Sequence, residues 1–208
     1  ILKGLAFFDT HWVHIQAGQA WAVRQKENKA AQELATLYPN SAAHLIDLRL
    51  HPRVSINWLK SALEAAKFLE KKDMQGVHLG NLGLDYSNLG DTKKAIEYYE
   101  QALDISREIG DKYNEGNMLG NLGVAYMELG DAKKAITFYK EQLVIVREIG
   151  NRRGEGNALA NMGQAYKTLD DPAKAKKLWR QAIVIFKAIE SPSAEVVQGE
   201  LDELNKSE

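Results

Sequence analysis

The sequence predicts an all-α fold, a solenoid of antiparallel helix pairs, and three observations predict it. The chain repeats itself every 40 residues. Within each repeat, apolar residues recur at spacings of three and four, the signature of one helix face. Glycine-led breaks interrupt these runs at fixed places. Gly76-Val-His-Leu-Gly-Asn-Leu-Gly returns as Gly116-Asn-Met-Leu-Gly-Asn-Leu-Gly and again as Gly156-Asn-Ala-Leu-Ala-Asn-Met-Gly. Segments 76–115 and 116–155 agree at 22 of 40 positions without a gap, and the more diverged third copy keeps the register. A period of this length dictates the architecture before any other signal does.

The elements follow in order. Residues 1–40 read as two helices outside the repeat pattern, 8–27 and 28–38, closed by Tyr38-Pro39-Asn40. Residues 41–75 read as a degenerate first repeat. In it, 41–51 form a worn first helix, Pro52 makes the break, and the stretch from Trp58 to Leu69 is the second helix. Ala62 and Leu63 fall 40 residues before Ala102 and Leu103. The repeat 76–115 places Leu79, Leu82, Gly83, Tyr86 and Leu89 on one face of its first helix. Gly90 suits a left-handed C-terminal cap and Asp91 the following N-cap. The second helix buries Ala95, Ile96, Tyr99, Ala102, Leu103 and Ile109 and ends at Gly110. Repeats 116–155 and 156–192 follow the same plan, with Asp131 and Asp171 as caps and Pro172 at a first helical position, where a missing N–H costs nothing. Gly83, Gly123 and Gly163 lie mid-helix at about 1 kcal/mol each relative to alanine. That cost makes sense where no side chain fits between paired helices. Residues 193–208 read as a C-terminal capping helix and tail, with Val197, Leu201 and Leu204 on one face.

Composition narrows the function. Hydrophobic content of 45% and charged content of 26% are ordinary for a folded soluble protein. A net charge of −1 provides no global attraction to nucleic acid or to an anionic membrane, so neither is an expected partner. No apolar run approaches the roughly 20 residues that cross a bilayer. The absence of cysteine excludes disulfides, thiolate metal sites and cysteine nucleophiles, and fits a reducing, cytoplasmic setting. No catalytic constellation stands out, so an enzyme is not expected and no cofactor is implied. The start at Ile1, without a methionine, reads as an excised fragment.

Leu79, Gly83, Tyr86, Ala95, Tyr99 and Ala102 together resemble the tetratricopeptide repeat (TPR) pattern. The 40-residue length is similar to the repeats of Pins-type spindle adaptors, kinesin light chains and bacterial signal-transducing NTPases. The resemblance implies a right-handed superhelical α-solenoid that serves as a protein- or peptide-binding scaffold. The stretch from Phe8 to Trp21, with Leu48-Arg-Leu-His-Pro52, resembles the segment joining the core of NB-ARC-type STAND NTPases to their repeat arrays. That likeness covers the first 75 residues. It implies a ligand-sensing array whose own NTPase core is a possible docking partner, and no Walker-type Gly-Lys-Ser/Thr motif occurs in the chain.

Stacked repeats line a concave surface with their first helices. If 79, 82, 83 and 86 are buried, the opposite stripe is Val77, Asn81, Leu84 and Asn88. Its equivalents are Asn117, Asn121, Val124 and Glu128, then Asn157, Asn161, Gln164 and Thr168. Asn81, Asn121 and Asn161 thus form a ladder, each amide offering two donors and one acceptor to a peptide backbone. Similar asparagines bind peptide backbones in the Pins-like and kinesin light chain repeats. Gly80, Gly120 and Ala160 beside them would let that backbone approach. The competing reading has the asparagines bonded to the adjacent helix. A clamp for a C-terminal carboxylate needs Lys or Arg on these faces; the stripe has no such residue, although Lys167 lies nearby, so that ligand is disfavoured. Asp9, His11 and His14 could begin a metal site but lack a third convincing ligand. Gly116, Gly120 and Gly123 imitate a phosphate loop yet lie inside a helix. The pairs at 93–94, 133–134 and 176–177 read as solvated lysines on the convex face. A second hypothesis is self-association, or docking on its own NTPase core, through the N-terminal helices carrying Trp12, Trp21 and Trp58.

Overall fold

A computed structural model describes the backbone of residues 2–41 and 52–206 and the side chains of 10–39 and 54–206. Ten helices are described, with no strand among these residues. They are α1 (Leu2–Arg24), α2 (Lys29–Ser41), α3 (Pro52–Phe68), α4 (Lys72–Asn88) and α5 (Thr92–Ile109), then α6 (Lys112–Glu128), α7 (Ala132–Glu148), α8 (Arg152–Thr168), α9 (Pro172–Ala188) and α10 (Ser193–Lys206). The all-α plan of helix pairs is therefore the observed one. The chain divides into two compact units, one up to Ile105 and one from Ser106 onward.

The turns explain why the helices stop where they do. After α4, Gly90 takes φ +76°. Its N–H donates to the Ser87 carbonyl at 2.8 Å, and the Asp91 N–H donates to the Tyr86 carbonyl at 2.9 Å. These two bonds are the Schellman pattern, which satisfies carbonyls that the helix end leaves open. The pattern returns after α6, where Gly130 N–H reaches the Met127 carbonyl and Asp131 N–H the Tyr126 carbonyl. The next helix is then capped from the side chain: Asp131 accepts from the Lys134 N–H, Asp171 from Lys174, Asp111 from Asn114 and Asn151 from Gly154. Such caps are worth about 1 kcal/mol each.

In the first unit, Trp12 stacks on Trp58 at 5.5 Å and Tyr38 meets Trp58 edge-on at 6.1 Å. Ala22, Ala35 and Ala65 let α1, α2 and α3 come close. Between α4 and α5, the ring of Tyr99 lies against Gly83, where a methyl group would overlap it. In the second unit the same device sets Tyr139 on Gly123, Trp179 on Gly163 and Phe186 on Gly156. The Trp179 indole N–H donates to the Ala160 carbonyl at 3.0 Å. Ala194, Val197 and Leu201 of α10 close the array over Ile183 and Phe186, with Leu204 packed at the edge.

Several expectations need correction. α1 begins earlier and ends earlier than the pattern suggested, and α2 runs through Pro39 to Ser41. Tyr38-Pro39-Asn40 does not close it, because a proline in the last turn removes only one ladder bond. The worn helix expected at 41–51 falls almost entirely on 42–51, outside the described residues. Leu89 and Ile109 are exposed. Leu89 is a C-cap and Ile109 a last helical residue, where the chain is already turning off the buried face.

Candidate peptide-binding face

The face in question lies on the first helix of each pair, opposite the side that packs. On α4, Leu79, Leu82 and Gly83 are buried, Val77 and Asn81 are half-buried, and Leu84 and Asn88 are exposed. The second unit repeats this on two adjacent helices. On α6, Asn117 and Asn121 are half-buried while Val124 and Glu128 are exposed. On α8, Asn161 is half-buried while Asn157, Gln164 and Thr168 are exposed. The side-chain amides of Asn81, Asn121 and Asn161 form no hydrogen bond to a described residue. Each amide keeps its donors and acceptor available on a partly open surface.

Of the small residues beside the ladder, Gly120 has a different job from the one expected of it. Gly80 and Gly120 are buried. Gly120 lies against the Gln142 side chain of α7, which a methyl group would overlap. The missing side chain serves packing inside the pair and leaves no passage for a ligand backbone. Ala160 gives its carbonyl to Trp179.

The lysines are also more engaged than a solvated face requires. Lys94, Lys134 and Lys174 lie over the rings of Tyr86, Tyr126 and Tyr166, at 5.3, 4.1 and 5.0 Å from the centroids. Tyr86 and Tyr126 in turn stack on Tyr98 and Phe138, both at 5.3 Å. The hydrogen bond between Lys94 and Asp91 holds the ammonium above and the carboxyl below their ordinary pKa values. Lys167, near the stripe, pairs with Glu200 at 2.8 Å and lies over Trp179. It is therefore already engaged, which weighs further against a carboxylate clamp. Among the described residues no group of three or more His, Asp or Glu side chains could hold a metal ion. None of the described helices is long and apolar enough to cross a membrane.

One network escaped the sequence reading. Arg107 donates to Glu115 at 3.2 Å and to Glu141 at 3.0 Å, and Lys112 donates to Glu115 at 2.8 Å. Burial acts to raise the Glu115 carboxyl, but the hydrogen bonds from Lys112 and Arg107 prevail and hold it below its ordinary value. A signal existed: Arg107 and Glu115 recur unchanged as Arg147 and Glu155.

The sequence pattern of the tetratricopeptide repeat family matches residues 33–108 and 114–188. No curated protein sequence matches the chain. Among solved structures, the chain is similar to BtubC (BKLC) from P. vanneervenii, with 18% identity and a TM-score of 0.71 over 96% of this chain and 91% of that one. It is similar to a STAND protein with a tetratricopeptide repeat sensor from Pyrococcus horikoshii, with 21% identity and a TM-score of 0.75. That match covers 88% of this chain and 28% of the other. It is also similar to the apo form of RapI, with 14% identity and a TM-score of 0.76 over 86% of this chain and 50% of that one. At these identities the likeness is one of fold.

Proposed function

The chain belongs to the tetratricopeptide repeat family, a fold of protein-interaction scaffolds, and on that premise we propose that the first-helix faces of α6 and α8, in its second unit, hold an extended or helical peptide. The observation carrying this reading is the shared register of Asn121 and Asn161, half-exposed and hydrogen-bonded to no described residue; in the first unit Asn81 presents the same open amide on α4. A peptide backbone presents alternating N–H and C=O groups, which primary amides match without regard to side-chain identity. Exposed Val124 supplies apolar contact, while Asn117, Asn157, Gln164 and Glu128 line the same faces; Leu84 and Asn88 take the matching places on α4 of the first unit. The repeat resembles those of Pins-type adaptors and kinesin light chains, in which asparagines serve this purpose.

The test uses a peptide selected on the full chain from a random displayed library. Asn121→Ala with Asn161→Ala should leave the melting temperature unchanged and weaken that peptide at least tenfold in calorimetry. Equal affinity for wild type and the double variant would remove the face.

The finer reading is a ligand-sensing array of a STAND NTPase. The resemblance of residues 8–21 and 48–52 to a core-to-array segment supports it, together with the shared fold of the Pyrococcus horikoshii sensor protein. Ligand would then have to bind an open state more tightly than one in which the array docks on its own core. Reading the coding frame upstream of Ile1 tests this. A nucleotide-binding core with a Gly-Lys-Ser/Thr loop is the expected finding, and a start codon directly before Ile1 would end the reading.

A second reading, self-association through α1 and α2, rests on the large apolar side chains these helices leave exposed: Val13 and Trp21 on α1, Leu34 and Leu37 on α2. Trp58 is buried and so withdrawn from such a surface, with the half-buried Trp12 stacked on its ring. Sedimentation of wild type against Trp21→Ser decides: a dimer lost in the variant supports this reading, and a monomer in both sinks it.

A further inference from the structure

From α5 onward the second helices grow steadily more basic. α5 carries three basic and four acidic residues, α7 four and two, and α9 five and none. A chain of net charge −1 therefore concentrates positive charge on one helix of its second unit. α10 brings acidic side chains, but its Glu200 is taken by Lys167, and its apolar face covers Ile183 and Phe186. The other side of α9 stays open: Lys177, Arg180 and Gln181 are exposed.

Two equivalent places along the array differ in their charge balance. In the α6–α7 pair, Arg107 and Lys112 share Glu115, and Arg107 reaches a second carboxylate on Glu141. Forty residues on, in the α8–α9 pair, the acceptor of that second bond is Gln181. Lys112 is matched by Arg152 and Lys140 by Arg180. Arg147 and Arg152 both bind the buried Glu155, the first at 2.8 Å, and Arg180 has no ion-pair partner among the described residues. Three guanidinium groups thus border a cavity of about 410 Å³ with one carboxylate between them. Leu159 and Val184 give the cavity an apolar side. Replacing ammonium groups by guanidinium forks while removing an acceptor is the change that suits a planar, two-oxygen anion.

From this we infer that the α8–α9 face is a second binding surface, one that takes an acidic peptide segment by placing a carboxylate among Arg147, Arg152 and Arg180 and an apolar neighbour on Val184. A nucleic acid is the weaker fit. Single strands bind through aromatic platforms, and the aromatics of α9, Trp179 and Phe186, are buried. The surface lies apart from the asparagine ladder and does not depend on it.

The probe is a fluorescein-labelled peptide of alternating Glu and Leu, titrated by anisotropy against the full chain. Gln181→Glu copies the preceding repeat and supplies the missing carboxylate, so the fold should accept it. It should weaken the probe about fivefold, and Arg180→Glu with Gln181→Glu at least tenfold, with wild-type affinity falling as salt rises. If the double variant melts early, Arg180→Ala alone carries the test at an exposed position. Asn121→Ala with Asn161→Ala should leave this binding unchanged, so the two surfaces fail or stand separately. Absent binding by wild type, or equal binding by wild type and the charge variants, overturns the inference. So does tighter binding of a thymidine oligonucleotide or of anionic lipid vesicles with the same dependence on Arg180 and Gln181.

Discussion

His78 is fully enclosed on α4, at a place where the next two repeats have Met118 and Ala158. Neither ring nitrogen finds a hydrogen-bond partner, and burial pushes the pKa from its usual 6.5 down to about 4. The folded chain therefore keeps the imidazole neutral where the unfolded chain protonates it. Between those two values the unfolded state binds more protons, so stability falls as pH drops through that window. His78→Met should raise the unfolding free energy by about 1–3 kcal/mol, since an unsatisfied buried polar group is removed. The gain should be larger at pH 5 than at pH 7 in urea titrations. A gain that is equal at both pH values, or a loss, would contradict the burial of the ring. The mid-helix glycines make the complementary point. Their cost in helix propensity was visible in the sequence, and the aromatic rings lying on Gly83, Gly123 and Gly163 account for it.

At the scale of the element, the last repeat departs at its turns from the two repeats before it, as the degenerate first repeat also does with Glu70 at φ +55°. Gly90, Gly110, Gly130 and Gly150 hold positive φ without strain, whereas Asp170 and Glu190 hold φ +57° and +52° with side chains attached. Such residues cost of order 1 kcal/mol relative to glycine. Asp170→Gly with Glu190→Gly should raise the melting temperature, by about 0.5–1 kcal/mol of stability per site, and calorimetry would show it. No change would mean the unfolded-state entropy of glycine cancels the relief. Helix ends inside the repeats were legible because glycine and capping side chains mark them chemically. The bounds of α1 and α2 were not, since nothing in their sequence repeats and Pro39 imitates a stop. Gly120 was misread because its purpose depends on Gln142, a residue of another helix that departs from the small Ala102 and Ala182 at its position. The basic cavity was hidden for a related reason. Its charge balance becomes visible only once Arg107 is seen to reach Glu141 across 34 positions.

At the scale of the whole molecule, contacts between near neighbours dominate a repeat fold, so its parts can unfold at different denaturant concentrations. The first unit carries the unpartnered His78 and the helices without repeat pattern, and should yield first. Three of the four tryptophans, Trp12, Trp21 and Trp58, belong to it, while helix dichroism samples both units. The urea midpoint by fluorescence should therefore lie below the midpoint by dichroism. Coincident curves would mean a single cooperative transition. The Trp12–Trp58 stack adds a signal of its own. Two indoles held face to face share their excited states, so the native chain should show a paired exciton band in the far ultraviolet that an isolated indole lacks. Loss of that band would time the departure of α1 from α3, even where helix content has barely changed.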